Sequence, residues 1–295
     1  MHFSLIIKIL GLLLMLFSAI GNLPPVLVSL FYDDGMMAPF IESFFTVFIT
    51  GFVMWLLTFR ARTELGTRDG FLIVTLFWAV LGTAGSLPFI LSSSVELSVT
   101  DAIFESLSGL TTTGATVISG LDSLPKSILF YRQQLQWLGG MGIIVLAMAL
   151  LPMLGIGGMQ LYRAESPGPV KDNKLVPRLA ETAKALWTIY VSLTLACAAA
   201  YWAAGMSGFD AITHSFSTIA IGGFSTHDAS MAYFDSSAIE IIAILFMFIA
   251  GINFALHFTA WQRSRIDHYF RDPEFLFYGF ILLAVSLGTT EFRRE

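Results

Sequence analysis

Charge is scarce in this chain and cysteine is nearly absent. Of 295 residues, 13% are Asp, Glu, Lys or Arg, with 16 basic against 21 acidic side chains and a formal net charge of −5. A soluble domain carries roughly twice that charged fraction, so an ordinary water-facing globule is excluded. No basic stripe or recognition motif occurs, which leaves nucleic-acid binding without an electrostatic footing. The single cysteine, Cys197, sits in the apolar stretch LTLACAAAYW. It has no partner for an internal disulfide and reads as a buried, inert thiol. Also missing are GxxxxGK[ST], HExxH, CxxC and GxSxG, so the chain offers no phosphate-cradling loop, zinc-protease helix, redox pair or nucleophile elbow. An enzyme is not expected, and neither is a cofactor.

Apolar sequence is abundant. Hydrophobic residues make up 56% of the chain, and they gather in runs of about 20, the length that crosses a bilayer as a helix. Six spans are expected: Phe3 to Leu30, Pro39 to Phe59, Phe71 to Leu91, Leu135 to Ile156, Ala185 to Ala204 and Ile239 to Phe258. A seventh run from Phe275 to Leu287 is too short to cross. The first run is too long for a signal-peptide core and reads as an uncleaved span. The fold class expected is all-α integral membrane.

Between these spans one phrase is spelled twice. TDAIFESLSGLTTTGATVIS (Thr100 to Ser119) and FDAITHSFSTIAIGGFST (Phe209 to Thr226) align without a gap from Asp101 and Asp210, a constant offset of 109 residues. Ala102 then meets Ala211, Ile103 meets Ile212, Ser106 meets Ser215, Ser108 meets Ser217, Gly114 meets Gly223 and Thr116 meets Ser225. Each copy reads as a short apolar helix, with an Asp to cap its first turn, that stops in a run of Thr, Ile and Gly. Inside the hydrocarbon layer irregular backbone survives only where it lines water or binds something. Thr-Thr-Thr-Gly-Ala and Ala-Ile-Gly-Gly-Phe can meet that condition by turning carbonyl oxygens toward a dehydrated cation. Glycine permits the left-handed turn this needs, and the negative end of each short helix favours a cation there. His214 stands opposite Glu105 in the register, and the sequence supplies no partners for a metal site around it.

Positive charge falls after the second span (Arg60, Arg62, Arg68), the fourth (Arg163, Lys171, Lys174, Arg178, Lys184) and the sixth (Arg263, Arg265, Arg271). Lys126 and Arg132 alone lie on the other side. The positive-inside rule then makes the rich loops and the N-terminus cytoplasmic and puts both short helices on the outer face. Asp33, Asp34, Glu96, Asp101, Glu105, Asp122, Asp210, Asp228 and Asp235 form either an acidic mouth or a plain solvated surface there. Gly139, Gly140, Gly142 and Gly155 to Gly158 suit close helix packing, with a gating hinge as the alternative. Pro152 is expected to kink or end the fourth span. Asn253, with His257 one turn on, suits a helix-to-helix hydrogen bond. The organisation expected is an N-terminal two-helix hairpin (1–70), a first helix–loop–helix repeat (71–160), a cytoplasmic loop (161–184), a second repeat (185–262) and a cytoplasmic loop leading to an incomplete third repeat (263–295).

ESLSGLTTTGATV (Glu105 to Val117), QWLGGMGIIVLAMALLPMLGIGGMQLYRAESPGPVKDNK (Gln136 to Lys174), AETAKALW (Ala180 to Trp187), STIAIGGFSTHDAS (Ser217 to Ser230) and GINFALHF (Gly251 to Phe258) resemble the superfamily of potassium transporters that includes the TrkH, KtrB and plant HKT proteins. The resemblance implies a potassium-selective, channel-like uptake protein of the bacterial inner membrane. It also implies a homodimer in membrane lipid and a cytosolic nucleotide-binding regulatory subunit of the TrkA type. Selectivity-filter residues carry over onto Thr111, Thr112, Thr113, Gly114 and Ala115 and onto Ala220, Ile221, Gly222, Gly223 and Phe224, with potassium held at Thr112, Thr113, Ile221 and Gly222. Glycine at Gly114 and Gly223 matches the potassium-preferring members; a serine at the first filter glycine goes with sodium transport in part of the plant branch. The family carries four filter repeats in one chain, and two are spelled here, so a truncated chain is the expectation. Sodium or unselective transport on the same scaffold, and a non-conducting fragment or scaffold, remain as alternatives.

Overall fold

The computed structural model describes residues 2–61, 67–154, 175–263 and 265–292. The described residues form twelve α-helices and two short 3-10 turns joined by loops, and contain no strand. In chain order the helices are α1 (Phe3–Tyr32), α2 (Met37–Thr58), α3 (Thr67–Ala84), α4 (Leu87–Leu91), α5 (Val99–Leu110), α6 (Lys126–Leu154), α7 (Leu175–Ala203), α8 (Gly208–Ile219), α9 (Ser237–Ala250), α10 (Phe254–Arg263), α11 (Asp267–Arg271) and α12 (Pro273–Phe292). The all-helical membrane architecture expected from the apolar runs is present. Four stretches are long and apolar enough to cross a bilayer, namely Phe3–Tyr32, Met37–Thr58, Asp69–Leu91 and Ala183–Ala203, and the pair α9–α10 makes a fifth if counted as one.

The boundaries differ from the apolar runs in instructive ways. Helix α6 begins at Lys126, nine residues before Leu135, because a polar run from Arg132 to Gln136 is carried inside the protein: Arg132, Gln133 and Gln136 are wholly buried. It also continues through Pro152 to Leu154. The glycines at 155–158 and the loop carrying Arg163, Lys171 and Lys174 lie outside the described residues. The third span is stepped, with α3 ending at Ala84 and α4 restarting at Leu87. The sixth span is not straight either, since α9 and α10 meet at 87°. Asn253 makes that corner: its Oδ1 accepts from Ala255 N at 3.0 Å and starts α10, while its Nδ2 donates to Glu274 Oε2 on α12 at 3.1 Å. The expected helix-to-helix bond is there, at a corner and not within a continuous helix.

Two cores hold the bundle. One gathers Phe17, Phe40, Leu81, Phe89, Leu110, Ile128, Tyr131 and Leu135 around α5 and the first half of α6. The other gathers Met141, Tyr190, Cys197, Tyr201, Ala211, Ile219 and Ala243 around α7 and α8. Cys197 is buried and free, as read from its apolar surroundings. Burying each large side chain of this kind contributes about 1.5–3 kcal/mol where the exchange is with water. Much of the apolar surface faces outward, including Leu27, Phe31, Leu57, Leu195 and Ile244, which suits a protein whose solvent at mid-depth is lipid.

Candidate functional site

The two short helices are built from one local plan. At the front of α5, Ser98 Oγ accepts from Asp101 N at 3.2 Å and donates to Asp101 Oδ2 at 2.7 Å. At the front of α8, Ser207 Oγ accepts from Asp210 N at 3.1 Å and donates to Asp210 Oδ2 at 2.6 Å. The cap is therefore the serine, with the aspartate answering it from the third helical position as in a capping box. Ser98 and Ser207 stand at the same offset as the rest of the repeat, which extends the duplication upstream of the aspartates.

The far ends match as closely. Thr113 N bonds back to Ser108 O at 2.9 Å and Gly222 N to Ser217 O at 2.8 Å. Thr112 and Ile221 take left-handed conformations, φ 55° and 52°, and two residues later Gly114 and Gly223 do so again, φ 76° and 86°. These are the wrapped ends that close a helix with a residue in the left-handed region. Two left-handed residues spaced one apart break the alternation of carbonyl directions that an ordinary strand keeps. Among the described residues, no donor bonds to the carbonyl oxygens of Thr112, Thr113, Gly114, Ile221, Gly222 or Gly223. The remaining sequence-selected positions are tied inward in part: Ser108 Oγ donates to Ala115 O at 2.6 Å, Thr111 Oγ1 donates to Leu107 O at 2.7 Å, and Phe224 N donates to Gln136 Oε1 at 3.1 Å. Ala220 closes α8 with its N–H on Phe216 O at 3.1 Å.

The two loops lie against each other. A Cβ at Gly114 would overlap the carbonyl oxygen of Gly222, and one at Gly222 would run into the Gln136 amide. Helix α6 supports both: a Cβ at Gly139 would strike the Leu110 carbonyl at the end of α5, and one at Gly140 would sit 2.7 Å from Tyr190 Oη and 3.0 Å from Ala220 Cβ. The glycines are there for approach, as their sequence suggested.

Behind the loops lies a group that sequence reasoning misplaced. Arg132 is no loop charge. It sits seven residues into the 126–154 helix, wholly buried, ion-paired with an equally buried Glu105. Its Nε reaches Glu105 Oε1 at 2.8 Å, its Nη2 donates to Thr116 Oγ1 at 3.0 Å and its Nη1 donates to Ser225 O at 3.1 Å. The Phe224 ring covers its guanidinium at 4.4 Å. Thr116 Oγ1 and Val117 N, at 2.9 and 3.0 Å, complete the Glu105 carboxylate. One arginine thus ties α5 to the segment leaving its own loop and to the segment leaving the other. Its signal was in the sequence: YRQQLQW places Arg132, Gln133, Gln134 and Gln136 in a single helical stretch that an exposed loop would not need.

In the second repeat the equivalent of the Glu105–Thr116 pair is His214–Ser225, joined through Nε2 at 3.0 Å, with His214 Nδ1 on Asp210 O at 2.9 Å. His214 holds its own loop, and among the described residues no cluster of three or more His, Cys, Asp or Glu could bind a metal. Glu105 and Asp210 are buried, so neither is the exposed surface charge that its sequence position suggested.

Beyond the loops the repeats are stitched together again. Gly120 N donates to Asp228 Oδ1 at 3.0 Å, Asp228 N reaches Asp122 Oδ2 at 3.4 Å, and His227 Nδ1 bonds to Asp122 Oδ1. The bond from His227 is the chief reason the Asp122 carboxyl is held below its usual value.

Two matched short helices ending in adjacent turns, set in a bundle of long apolar helices, define a helical membrane protein built on an internal duplication. The chain belongs to the TrkH family of cation transport proteins, whose sequence profile matches residues 36–286. It is 62% identical over 289 residues to the Trk system potassium uptake protein TrkH of Vibrio parahaemolyticus, covering 97% of this chain and 59% of that protein. The TrkH of Escherichia coli K12 is 60% identical over 290 residues, covering 98% of this chain and 60% of the relative, and TrkG of the same organism is 43% identical over 98% of this chain and 59% of its own length. The crystal structure of the potassium transporter TrkH from Vibrio parahaemolyticus superposes with a TM-score of 0.87 at 58% identity, over 97% of this chain and 58% of that one. The chain spans about three fifths of the length of these relatives.

Proposed function

We propose that this chain forms part of a potassium uptake pathway across the bacterial inner membrane. The observation that carries the reading is the pair of matched loops, whose carbonyls at Thr112, Thr113, Gly114, Ile221, Gly222 and Gly223 accept no hydrogen bond from the described residues. Such oxygens can replace the water shell of a dehydrated ion. In this reading potassium is held at Thr112, Thr113, Ile221 and Gly222, and Thr111, Ala115, Ala220 and Phe224 shape the loops around it. Two loops furnish half of a fourfold ring, so the remaining carbonyls come from sequence beyond these repeats or from a second copy. The turns carrying Asp122 and Asp228 face outward, the N-terminus and basic loops face the cytoplasm, and the inside-negative potential drives entry at about 2.3 kcal/mol per charge per 100 mV. Further subunits belong to the same proposal, supported by the names of the relatives, which are proteins of a "Trk system"; a homodimer and a nucleotide-binding regulatory subunit of the TrkA type are the forms that the family resemblance implies for them.

Rubidium uptake into a potassium-uptake-deficient bacterium tests it, with sodium as competitor. Replacing Gly114 or Gly223 with serine should lower the preference for potassium over sodium. Unchanged selectivity in both variants counts against the loops as the filter. Equal sodium and potassium flux in the unaltered protein would point to unselective transport, and no flux from these 295 residues would assign them a structural part in a longer assembly.

A further inference from the structure

His227 stands where the two repeats meet, just beyond the second loop. The residue is buried, with its ring stacked on Tyr233 at 3.4 Å between centroids and 5° between planes. Nδ1 faces Asp122 Oδ1 in the turn that follows the first loop, and Nε2 lies 3.4 Å from Asp210 Oδ1 in the first turn of α8. A neutral imidazole carries one N–H and can donate to only one of these carboxylates. With the proton on Nδ1 for Asp122, Nε2 is left buried without a hydrogen-bond partner, its lone pair against a carboxylate oxygen. A second proton supplies the missing donor and a positive charge between two negative ones. Imidazole is the side chain whose ordinary titration falls between pH 5 and 8.

The other charged groups around the ring are already engaged. His214 lies 6.4 Å away, ring to ring, with both nitrogens on neutral partners. Arg132 is taken by Glu105, and Lys126, which shares a groove wall with His227, has its Nζ over the Phe209 ring at 4.7 Å. Asp228 bonds to Gly120 N, Asp210 Oδ1 also accepts from Thr226 Oγ1 at 2.8 Å, and the Tyr233 ring is the face on which His227 stacks. Asp122 is half exposed and offers the proton a route from solution.

We propose that His227 is a proton-operated clasp between the repeats, which binds Asp122 alone when neutral and both Asp122 and Asp210 when protonated, and through which acid on that side slows cation entry. The last step rests on the uptake reading and its orientation. The protonated clasp stiffens the segment leading to Phe224 and removes one net negative charge from the approach to the loops. In watery surroundings a unit charge roughly 8 Å from a cation changes the local cation concentration by about two- to threefold, and that is the size of effect expected here.

Two measurements on the full chain separate the clasp from the pathway. Spin labels at Ser123 and Ala229, both exposed, report the spacing of the two turns in lipid nanodiscs. The distance distribution should narrow between pH 8 and pH 5 in the otherwise unaltered protein, stay unchanged in His227→Gln, and narrow less in Asp122→Asn. Rubidium uptake should fall two- to threefold over the same range of external pH and be flat in His227→Gln, with flux at pH 8 retained. A pH response that survives in both readouts with His227→Gln overturns the clasp. Absence of rubidium flux at every pH, with the spin-label response intact, sinks the uptake reading and leaves the clasp standing. Should His227→Gln fail to fold, Asp122→Asn carries the test, and narrowing equal to that of the unaltered protein overturns the proposal.

Discussion

Replacing Arg132 with methionine isolates what holds the two loops in register. The guanidinium and the Glu105 carboxylate are both fully buried. Removing one member of such a pair leaves a charge in a medium that cannot solvate it, a loss of about 3–5 kcal/mol. The Thr116 hydroxyl and Val117 amide still hold Glu105, so the lower end, about 3 kcal/mol, is expected. A melting temperature moves about 2–4 °C per kcal/mol in chains approaching this size, which puts the shift at about 6–12 °C. Scanning fluorimetry of protein in nanodiscs measures it. The cycle closes with Glu105→Gln and the double variant. Because neutralising Glu105 removes the orphaned charge, the double variant should melt well above the sum of the two single losses. Ion competition should also degrade in Arg132→Met, since Ser225 O and the Phe224 ring lose their common anchor. A variant that melts within about 1 °C of the parent and keeps its selectivity would refute the reasoning, because a fully desolvated charge cannot be lost at no cost.

Other expectations are narrower. Ser98→Ala and Ser207→Ala each remove a side-chain cap, should cost about 1 kcal/mol apiece, and should act additively in the same melting assay. Gly139→Ala drives a methyl group into the Leu110 carbonyl; an overpacking loss of about 1–3 kcal/mol and reduced rubidium uptake are expected together. At the α1–α2 turn, burial raises the Asp34 carboxyl, but hydrogen bonds from Ser29, Ser127 and Met36 outweigh it and leave it below its usual value. A carboxyl depressed on folding contributes stability that is present above its unfolded pKa and lost as pH falls through the folded value. Melting temperature should therefore fall on acidification below about pH 4, and Asp34→Asn should blunt that fall while lowering the plateau.

Much of this was legible in the chain because a bilayer enforces simple rules. Apolar runs of spanning length located α1, α2 and the far end of α7 to within a few residues, though α7 starts ten residues before its run, and the gapless duplication located both short helices and the glycine turns. What the runs could not reveal was polar sequence that the protein satisfies internally. Arg132, Gln133 and Gln136 break the hydropathy pattern, so the apolar run begins nine residues inside α6 and leaves Arg132 reading as a loop charge. The same blindness hid the corner at Asn253. An apolar window straddles it without a dip, and only a side chain able to cap a helix from the middle of that window marks the break. Register carried further than composition, because Glu105 opposite His214 was visible as a pairing before either had a role.

That pairing leaves the two repeats mechanically alike and electrically different. One loop is braced by a fixed couple of opposite charges, Arg132 and Glu105, the other by the His214–Ser225 hydrogen bond. In the proposed pathway, a cation between such neighbours would meet matched backbone geometry but an unequal field. The braces meet at Ser225, whose carbonyl Arg132 holds and whose hydroxyl His214 holds, so altering the charged couple reaches both loops while altering the histidine reaches one.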